Sequence, residues 1–285
     1  MNEPSETLRA DGAATASASP RVSVVIPARN EATNLPSVLA RLPMELFEVI
    51  LVDGHSDDNT VGVARRCRPD IRVVRQGGHG KGNALACGFA AARGDVIVTL
   101  DGDGSTRPEE IPLFVAALRN GADFAKGTRF ASGGGSADIT ALRKAGNLAL
   151  VCLVNVLFRT KYTDLCYGFN AFWTRCLAKL EVDSDGFEVE TLLNVKAARS
   201  GLKVAEVPSF ECGRLNGLSN LRAWRDGLRV LRTVLSEYLS PRSYQAVQWS
   251  ELDREPAAEG LPGLATATIG GEAKATGRGS VWTSR

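Results

Sequence analysis

Val96-Ile97-Val98-Thr99-Leu100-Asp101-Gly102-Asp103 runs an apolar, β-branched stretch straight into two carboxylates one residue apart. A short run of this kind, closed by Asp and Gly, reads as a buried strand that ends in a turn. The same grammar recurs upstream. Val22-Ser23-Val24-Val25-Ile26 stops at Pro27, Val49-Ile50-Leu51-Val52 stops at Asp53, and Ile71-Arg72-Val73-Val74 forms a third run. Helical patterns separate them: one from about Asn34 carrying Leu35, Val38, Leu39 and Leu42, one from near Asp58, and one from Lys81 to Ala92. Pro108 opens a further helix as a first-turn proline. Continuous apolar strands alternating with helices predict an α/β fold: a mostly parallel, Rossmann-like sheet with helices on both faces. Such sheets bind ligands at the carboxyl ends of their strands. That rule points to Pro27 through Glu31, to Asp53, and to Asp101 through Ser105.

Composition agrees with a globular enzyme-sized domain. The 285 residues are 44% hydrophobic and 23% charged, enough for a substantial core. A net charge of +2 implies no whole-chain attraction to nucleic acid, and no nucleic-acid partner is expected. Cys67, Cys87, Cys152, Cys166, Cys176 and Cys212 form no CxxC pair, and there are two histidines. A zinc site is therefore not expected, and the thiols read as reduced, in a cytoplasmic protein. The first twenty residues are rich in Ala, Ser and Thr, carry Glu3, Glu6 and Asp11, and lack the apolar core of a secretory signal. The apolar stretch Leu148 to Phe158 is broken by Asn155 and falls short of the about 20 residues that span a bilayer. The expected organisation is one domain at residues 21–240, between largely disordered tails at 1–20 and 241–285.

Two carboxylates at a strand end suit a hard divalent cation, which takes a few protein oxygens and completes its shell with water and substrate phosphate. Asp101 and Asp103 are thus candidate Mg²⁺ or Mn²⁺ ligands. The bland alternative is an Asp-Gly turn, with Ser105 or Thr106 capping the helix at Pro108. Asp53 can accept hydrogen bonds from a base or ribose, whereas Asp57, Asp58 and Asn59 read as turn and cap residues. Gly77-Gly78-His79-Gly80-Lys81-Gly82 precedes a helix and could meet phosphate, but it lacks the P-loop spacing. Lys81 is equally open to being a solvated helix-start residue.

In combination these segments are more specific. Pro27-Ala28-Arg29-Asn30-Glu31, the strand-end Asp53, Gly80-Lys81-Gly82-Asn83-Ala84 and Asp101-Gly102-Asp103 resemble, in order and spacing, the family 2 glycosyltransferases of GT-A fold. The resemblance continues through Lys126-Gly127-Thr128-Arg129-Phe130, Tyr167-Gly168-Phe169-Asn170-Ala171-Phe172, Glu206-Val207-Pro208 and Arg214-Leu215-Asn216-Gly217-Leu218-Ser219, covering about residues 21–235. The later motifs look most like the dolichol-phosphate mannosyltransferase branch, including bacterial polyprenyl-phosphate sugar synthases. The resemblance implies that Pro27, Arg29 and Glu31 hold the nucleotide and that Asp53 meets its base. It implies that Asp101 lies near ribose and metal, that Asp103 is the principal metal ligand, and that Arg129, Arg143 and Arg214 contact phosphates. Arginine suits planar, bidentate phosphate contacts. Two positions depart from the pattern: Gly54 stands where many relatives carry a second Asp, and Ser105 where the mannosyltransferase branch often carries Gln. The membrane segments that follow the domain in some relatives are not expected here.

The implied activity is transfer of a hexose, with inversion, from a nucleoside-diphosphate sugar of the GDP-mannose or UDP-glucose type to a polyprenyl phosphate. Transfer to a soluble hydroxyl acceptor, a sugar acid or natural-product aglycone, is the alternative. A non-catalytic nucleotide-sugar-binding protein is the third reading, opposed by the intact Asp101, Asp103, Arg129 and Arg214. A hydroxyl acceptor would need a general base, for which Asp185, Glu188 and Glu190 are candidates. Glu188 and Glu190 do not share a helix face, and Glu190 is the one assigned to the site. Lastly, Asn220 to Leu239 reads as one amphipathic helix. Leu221, Trp224, Leu228, Leu231 and Leu235 form an apolar stripe, with Arg222, Arg225, Arg229 and Arg232 beside it. Either the leucines pack on the domain, or the helix makes peripheral contact with an anionic membrane surface, at the inner face of the cell membrane.

Overall fold

The computed structural model describes residues 19–217 and 223–240. The expected tails, apart from Ser19 and Pro20, lie outside the described residues, as do Leu218 to Arg222. The described residues all belong to one compact unit, Met1–Asp253; the second, Arg254–Arg285, lies outside them.

In chain order the elements are β1 (Val22–Ala28), α1 (Leu35–Ala40), β2 (Glu48–Asp53), α2 (Thr60–Cys67), β3 (Arg72–Arg75), α3 (Gly80–Ala91), β4 (Val96–Thr99) and α4 (Ile111–Arg119). There follow β5 (Phe124–Thr128), β6 (Gly135–Ser136), α5 (Ala141–Phe158), β7 (Asn170–Trp173), α6 (Leu177–Leu180), α7 (Val189–Arg199), β8 (Val204–Pro208), β9 (Phe210–Glu211) and α8 (Ala223–Leu239). The central sheet has seven strands in the order β3-β2-β1-β4-β7-β5-β8. All its pairings are parallel except those of β7, which runs antiparallel to both β4 and β5. A small sheet of β6 and β9 sits beside it. The α/β, GT-A-type architecture read from the sequence is thus the one observed.

The apolar runs are strands because both of their faces are covered. Val24, Ile26, Leu51 and Val98 belong to one buried layer, Val25, Ile50, Val52 and Ile97 to the other. This is the period-two alternation of a sheet packed between two helical layers. Register then builds the cleft. Ala28 pairs with Asp53 and Asp53 with Arg75, whereas β4 ends earlier, its last residue Thr99 opposite Val25. The shorter β4 lets Leu100 through Asp103 fold across the end of β1.

Two expectations are refined. Pro108 opens a single 3₁₀ turn, and the α-helix proper begins at Ile111. The apolar stretch after Leu148 is part of an 18-residue helix, α5, with mean hydropathy 1.5. By length and composition alone α5 is apolar enough to cross a membrane. It packs Asn147, Val151, Val154 and Phe158 into the domain.

Candidate active site

The carboxyl ends of β1, β2, β3 and β4 open into a cleft of about 640 Å³ lined by Pro27, Arg29, Glu31, Lys81, Asp101, Asp103 and Arg214, among others. Seven expected residues therefore meet in one place. Asp53 ends β2 beneath the cleft, 8% exposed, and accepts from the Ser56 amide. Asn30 holds the first loop to the second: its amide donates to Ser56 Oγ at 3.0 Å, and its Oδ1 accepts from the Asp57 amide at 2.8 Å. Asp58 accepts from the Thr60 amide in the turn that enters α2, whereas Asn59, at the N-cap, makes no side-chain cap hydrogen bond.

Lys81, in the first turn of α3, bridges two carboxylates. Its Nζ lies 2.6 Å from Asp101 Oδ1 and 2.5 Å from Glu190 Oε1. The three side chains are 13%, 26% and 11% exposed, respectively. Burial pulls the Lys81 ammonium down, but the charges of Asp101 and Glu190 outweigh it and hold the group above the ordinary lysine range. Burial raises the Glu190 carboxyl, against the pull of Lys81. No side chain fits beside this bridge, since a Cβ on Gly168 would stand 2.5 Å from Glu190 Oε1 and 2.8 Å from Lys81 Nζ.

The glycines of the Gly80-Lys81-Gly82 turn serve packing. A Cβ on Gly80 would meet the Asp185 carbonyl oxygen at 2.0 Å, and one on Gly82 the Ser184 carbonyl oxygen at 1.9 Å. The Gly82 amide donates to the Asp185 carbonyl at 2.9 Å. The segment ahead of α7 is thereby clamped onto α3, which carries Glu190 to Lys81. Of the three acids there, Glu190 alone joins the bridge; Glu188 Oε1 accepts from the Gly186 amide, and Asp185 lends its backbone carbonyl.

On the opposite wall, Arg214 donates to Asp103 Oδ2 at 3.2 Å and to Glu31 Oε1 at 2.6 Å. Burial raises the Glu31 carboxyl, while Asn34 and Arg214 favour its ionised form. Asp103 also accepts from the Ser105 hydroxyl at 2.6 Å, so Ser105 orients this carboxylate. Asp101 and Asp103 are thus hard oxygen donors that each already hold a cationic side chain. That donor chemistry fits a divalent ion. Among the described residues no group of three or more His, Cys, Asp or Glu is placed to hold a metal, so such an ion would rely on substrate phosphate and water as well.

Two expected arginines lie elsewhere. Arg129 ends its chain inside the domain, with a side chain 2% exposed. It binds both Asp164 oxygens, at 2.7 and 2.9 Å, and both Glu211 oxygens, at 3.1 Å. Although Asp164 is buried, Arg129 and Lys126 hold it below the ordinary carboxylate range. An arginine whose fork is filled by two carboxylates ties β5 to β9; it is not presented to a phosphate in the cleft. Arg143, in the first turn of α5, pairs with Asp138 at 3.0 Å, away from the nucleotide cleft.

Arg143 and Arg129 both line a second cavity, about 340 Å³, between α5 and α8. Its walls include Leu142, Leu150, Phe187, Trp224, Leu228 and Leu231, and its inner end reaches Glu190. Phe187 lines both spaces. Neither Phe187 nor Gln76 was singled out in the sequence. Gln76 lines the cleft, its backbone N–H donating to the Asp53 carbonyl at 3.1 Å and its side-chain amide to the Gly78 carbonyl at 2.8 Å. It directly follows β3, so the strand-end rule that found Asp53 could have found it. Phe187 carries no such signal.

Comparison with known proteins gives one picture. Residues 23–177 match the model of "Glycosyl transferase family 2". The chain is 31% identical to a dolichol-phosphate mannosyltransferase of Pyrococcus furiosus, over 82% of this chain and 66% of that one, so it spans just under two thirds of that relative. It is 32% identical to an undecaprenyl-phosphate mannosyltransferase of Micrococcus luteus, over 66% of this chain and 82% of that one. Among solved structures, a glucosyl-3-phosphoglycerate synthase of Mycobacterium tuberculosis in complex with Mg²⁺ and uridine diphosphate is similar. It superposes with a TM-score of 0.61 at 25% identity, covering 78% of this chain and 80% of that one. With the strand-end cleft and these matches in hand, the chain belongs to glycosyl transferase family 2.

Proposed function

We propose that this glycosyltransferase moves a hexosyl group from a nucleoside-diphosphate sugar to a polyprenyl phosphate, inverting the anomeric carbon. The observation that carries this reading is a pair of spaces that share Phe187 and are linked by the Lys81–Glu190 ion pair: a polar cleft suited to a nucleotide, and an apolar cavity suited to a prenyl chain. Leu142, Leu150, Trp224 and Leu231 suit a prenyl chain, and Arg143 in the same lining suits the phosphate at its end. The mannosyltransferase relatives are named for lipid phosphate acceptors, which agrees.

In this mechanism an oxygen of the acceptor phosphate attacks the anomeric carbon as the bond to the nucleoside diphosphate breaks, and the negative charge passes to the leaving diphosphate. A phosphate is already ionised at neutral pH, so no general base is required. Glu190 accordingly positions Lys81. Lys81 in turn sets Asp101 against the donor. The wall from Pro27 to Glu31 and Asp53 holds the nucleoside. Arg214 turns from Asp103 and Glu31 to the phosphates, where its fork neutralises developing charge. Mg²⁺ or Mn²⁺, held by Asp103 with Asp101 nearby, would supply further charge neutralisation on the leaving diphosphate. A donor in solution and an acceptor in lipid would meet at a membrane surface.

The test is a donor panel of GDP- and UDP-hexoses with a short-chain prenyl phosphate, followed by mass spectrometry, with and without EDTA. A prenyl-phosphate-linked hexose formed only with divalent metal is the expected product. Hexose found on a sugar acid or aglycone, and none on prenyl phosphate, would replace the lipid acceptor with a soluble one.

A further inference from the structure

Of the two readings of the α8 stripe, the one in which it packs on the domain as a whole does not hold. The helix buries Asp226, Val230 and Val234, and turns Trp224, Leu228 and Leu235 outward at 78%, 54% and 42% exposure. Leu239 and Tyr238 are also exposed. Arg225, Arg229 and Arg232 stand exposed along the same helix, about a quarter-turn from the apolar stripe at 100° per residue. Leu221 and Arg222, the first pair of the expected stripes, lie outside the described residues.

A second helix does the same. α5 buries Asn147, Val151, Val154 and Phe158, and only 22% of it is buried. Leu142, Leu148 and Val156 are 58%, 61% and 77% exposed, and Ala145, Ala149 and Cys152 between them are exposed too. Lys144 and Arg159 are exposed toward its two ends. α5 and α8 touch. Leu142 from one and Trp224 and Leu228 from the other are exposed and also line the apolar cavity. The outward apolar faces of the two helices therefore meet around that cavity's rim. Monomeric soluble domains rarely leave so much contiguous apolar surface open. An apolar face with a Trp and an adjoining row of arginines matches an interface of hydrocarbon and anionic headgroups.

We propose that the exposed faces of α5 and α8 form one docking surface for a bilayer containing anionic lipid, which sets the apolar cavity open toward the lipid. This rests on the lipid-acceptor reading for its purpose but not for its test. Attachment of this kind has two parts. The arginines attract the surface over about a Debye length, and the apolar side chains then enter the headgroup region. Both helices must contribute, so α5 carries binding even where α8 is unchanged.

The experiment uses the full chain and sedimentation with vesicles of phosphatidylcholine, with and without phosphatidylglycerol. Wild type is expected to sediment with the anionic vesicles at low salt and far less with neutral ones. The double variant Leu148→Glu/Val156→Glu lies outside cleft and cavity. It should lose at least ten-fold in partition while keeping its melting temperature and its turnover on short-chain prenyl phosphate in solution. Arg225→Gln/Arg229→Gln/Arg232→Gln should lose roughly a hundred-fold at low salt, at about five-fold per charge, with little left for salt to weaken. Wild type remaining in the supernatant with anionic vesicles overturns the proposal, as does an α5 double variant that binds like wild type. A dimer in solution that the α5 double variant abolishes, with no vesicle binding, assigns the face to a second copy instead. Vesicle binding without transfer to prenyl phosphate supports this surface and removes the acceptor proposed above.

Discussion

Replacing Lys81 with Met tests the bridge between the two spaces directly. The change keeps the length of the side chain and removes the ammonium that sits 2.6 Å from Asp101 and 2.5 Å from Glu190. Two carboxylates are then left facing each other, in surroundings where Glu190 is 11% exposed. Removing one partner of a buried pair costs about 3–5 kcal/mol, which for a domain of this size lowers Tm by roughly 6–20 °C. The pH dependence has a definite sign. Burial already raises the Glu190 carboxyl, and Lys81 opposes that rise. Without Lys81 the folded state of the variant retains a proton that an unfolded carboxylate loses near pH 4.3. Such a group stabilises fully below the unfolded value, and its contribution fades as pH rises through the elevated folded value. Thermal melts by circular dichroism at pH 5 and pH 8 should therefore show a deficit at both, clearly larger at pH 8. A variant as stable as wild type at pH 8, or a deficit equal at the two pH values, refutes the reasoning.

Arg129→Met should lose about 3–5 kcal/mol of stability, because Asp164 is left buried without its partner, and donor KM should be unchanged in the folded fraction; unchanged stability with a raised donor KM would return Arg129 to the phosphate-binding role. Asp103→Ala should keep the wild-type melting curve and lose transfer, since a metal ligand supplies several kcal/mol of transition-state stabilisation; activity near wild type in metal-supplemented buffer contradicts its role. Arg214→Ala should lower kcat/KM at least ten-fold, about 1.4 kcal/mol, and steady-state kinetics unchanged for donor and acceptor alike would rule the residue out.

The nucleotide half of the fold was readable because its determinants are local. An apolar run, its terminating Pro or Asp, and the next helical pattern lie within about twenty residues, and the strand-end rule converts them into a cleft. What escaped depends on partners far along the chain. The strand β7 is four residues long, and its antiparallel direction is set by pairing with Val96–Thr99, more than seventy residues earlier. Arg129 offers the same guanidinium to a phosphate or to Asp164 and Glu211, and nothing in its own motif names those carboxylates. For α8, periodicity revealed the apolar stripe but not which side faces inward. The domain took the narrower strip of Val230 and Val234, with Asp226, and left Trp224, Leu228 and Leu235 outside.

The antiparallel β7 also governs how the chain assembles. The four strands β1 to β4 can join through neighbouring strand-helix units, and β5 with β8 form a separate parallel pair. Until Asn170–Trp173 slots between them, Thr99 and its neighbours on one side and Ala125 on the other present bare, buried-type strand edges. Unpaired apolar edges template intermolecular pairing. Any chain cut before Asn170, by truncation or by a stalled ribosome, lacks β8 as well as β7, so β4 keeps one such edge bare and β5 both of its own, and aggregation is the expected outcome.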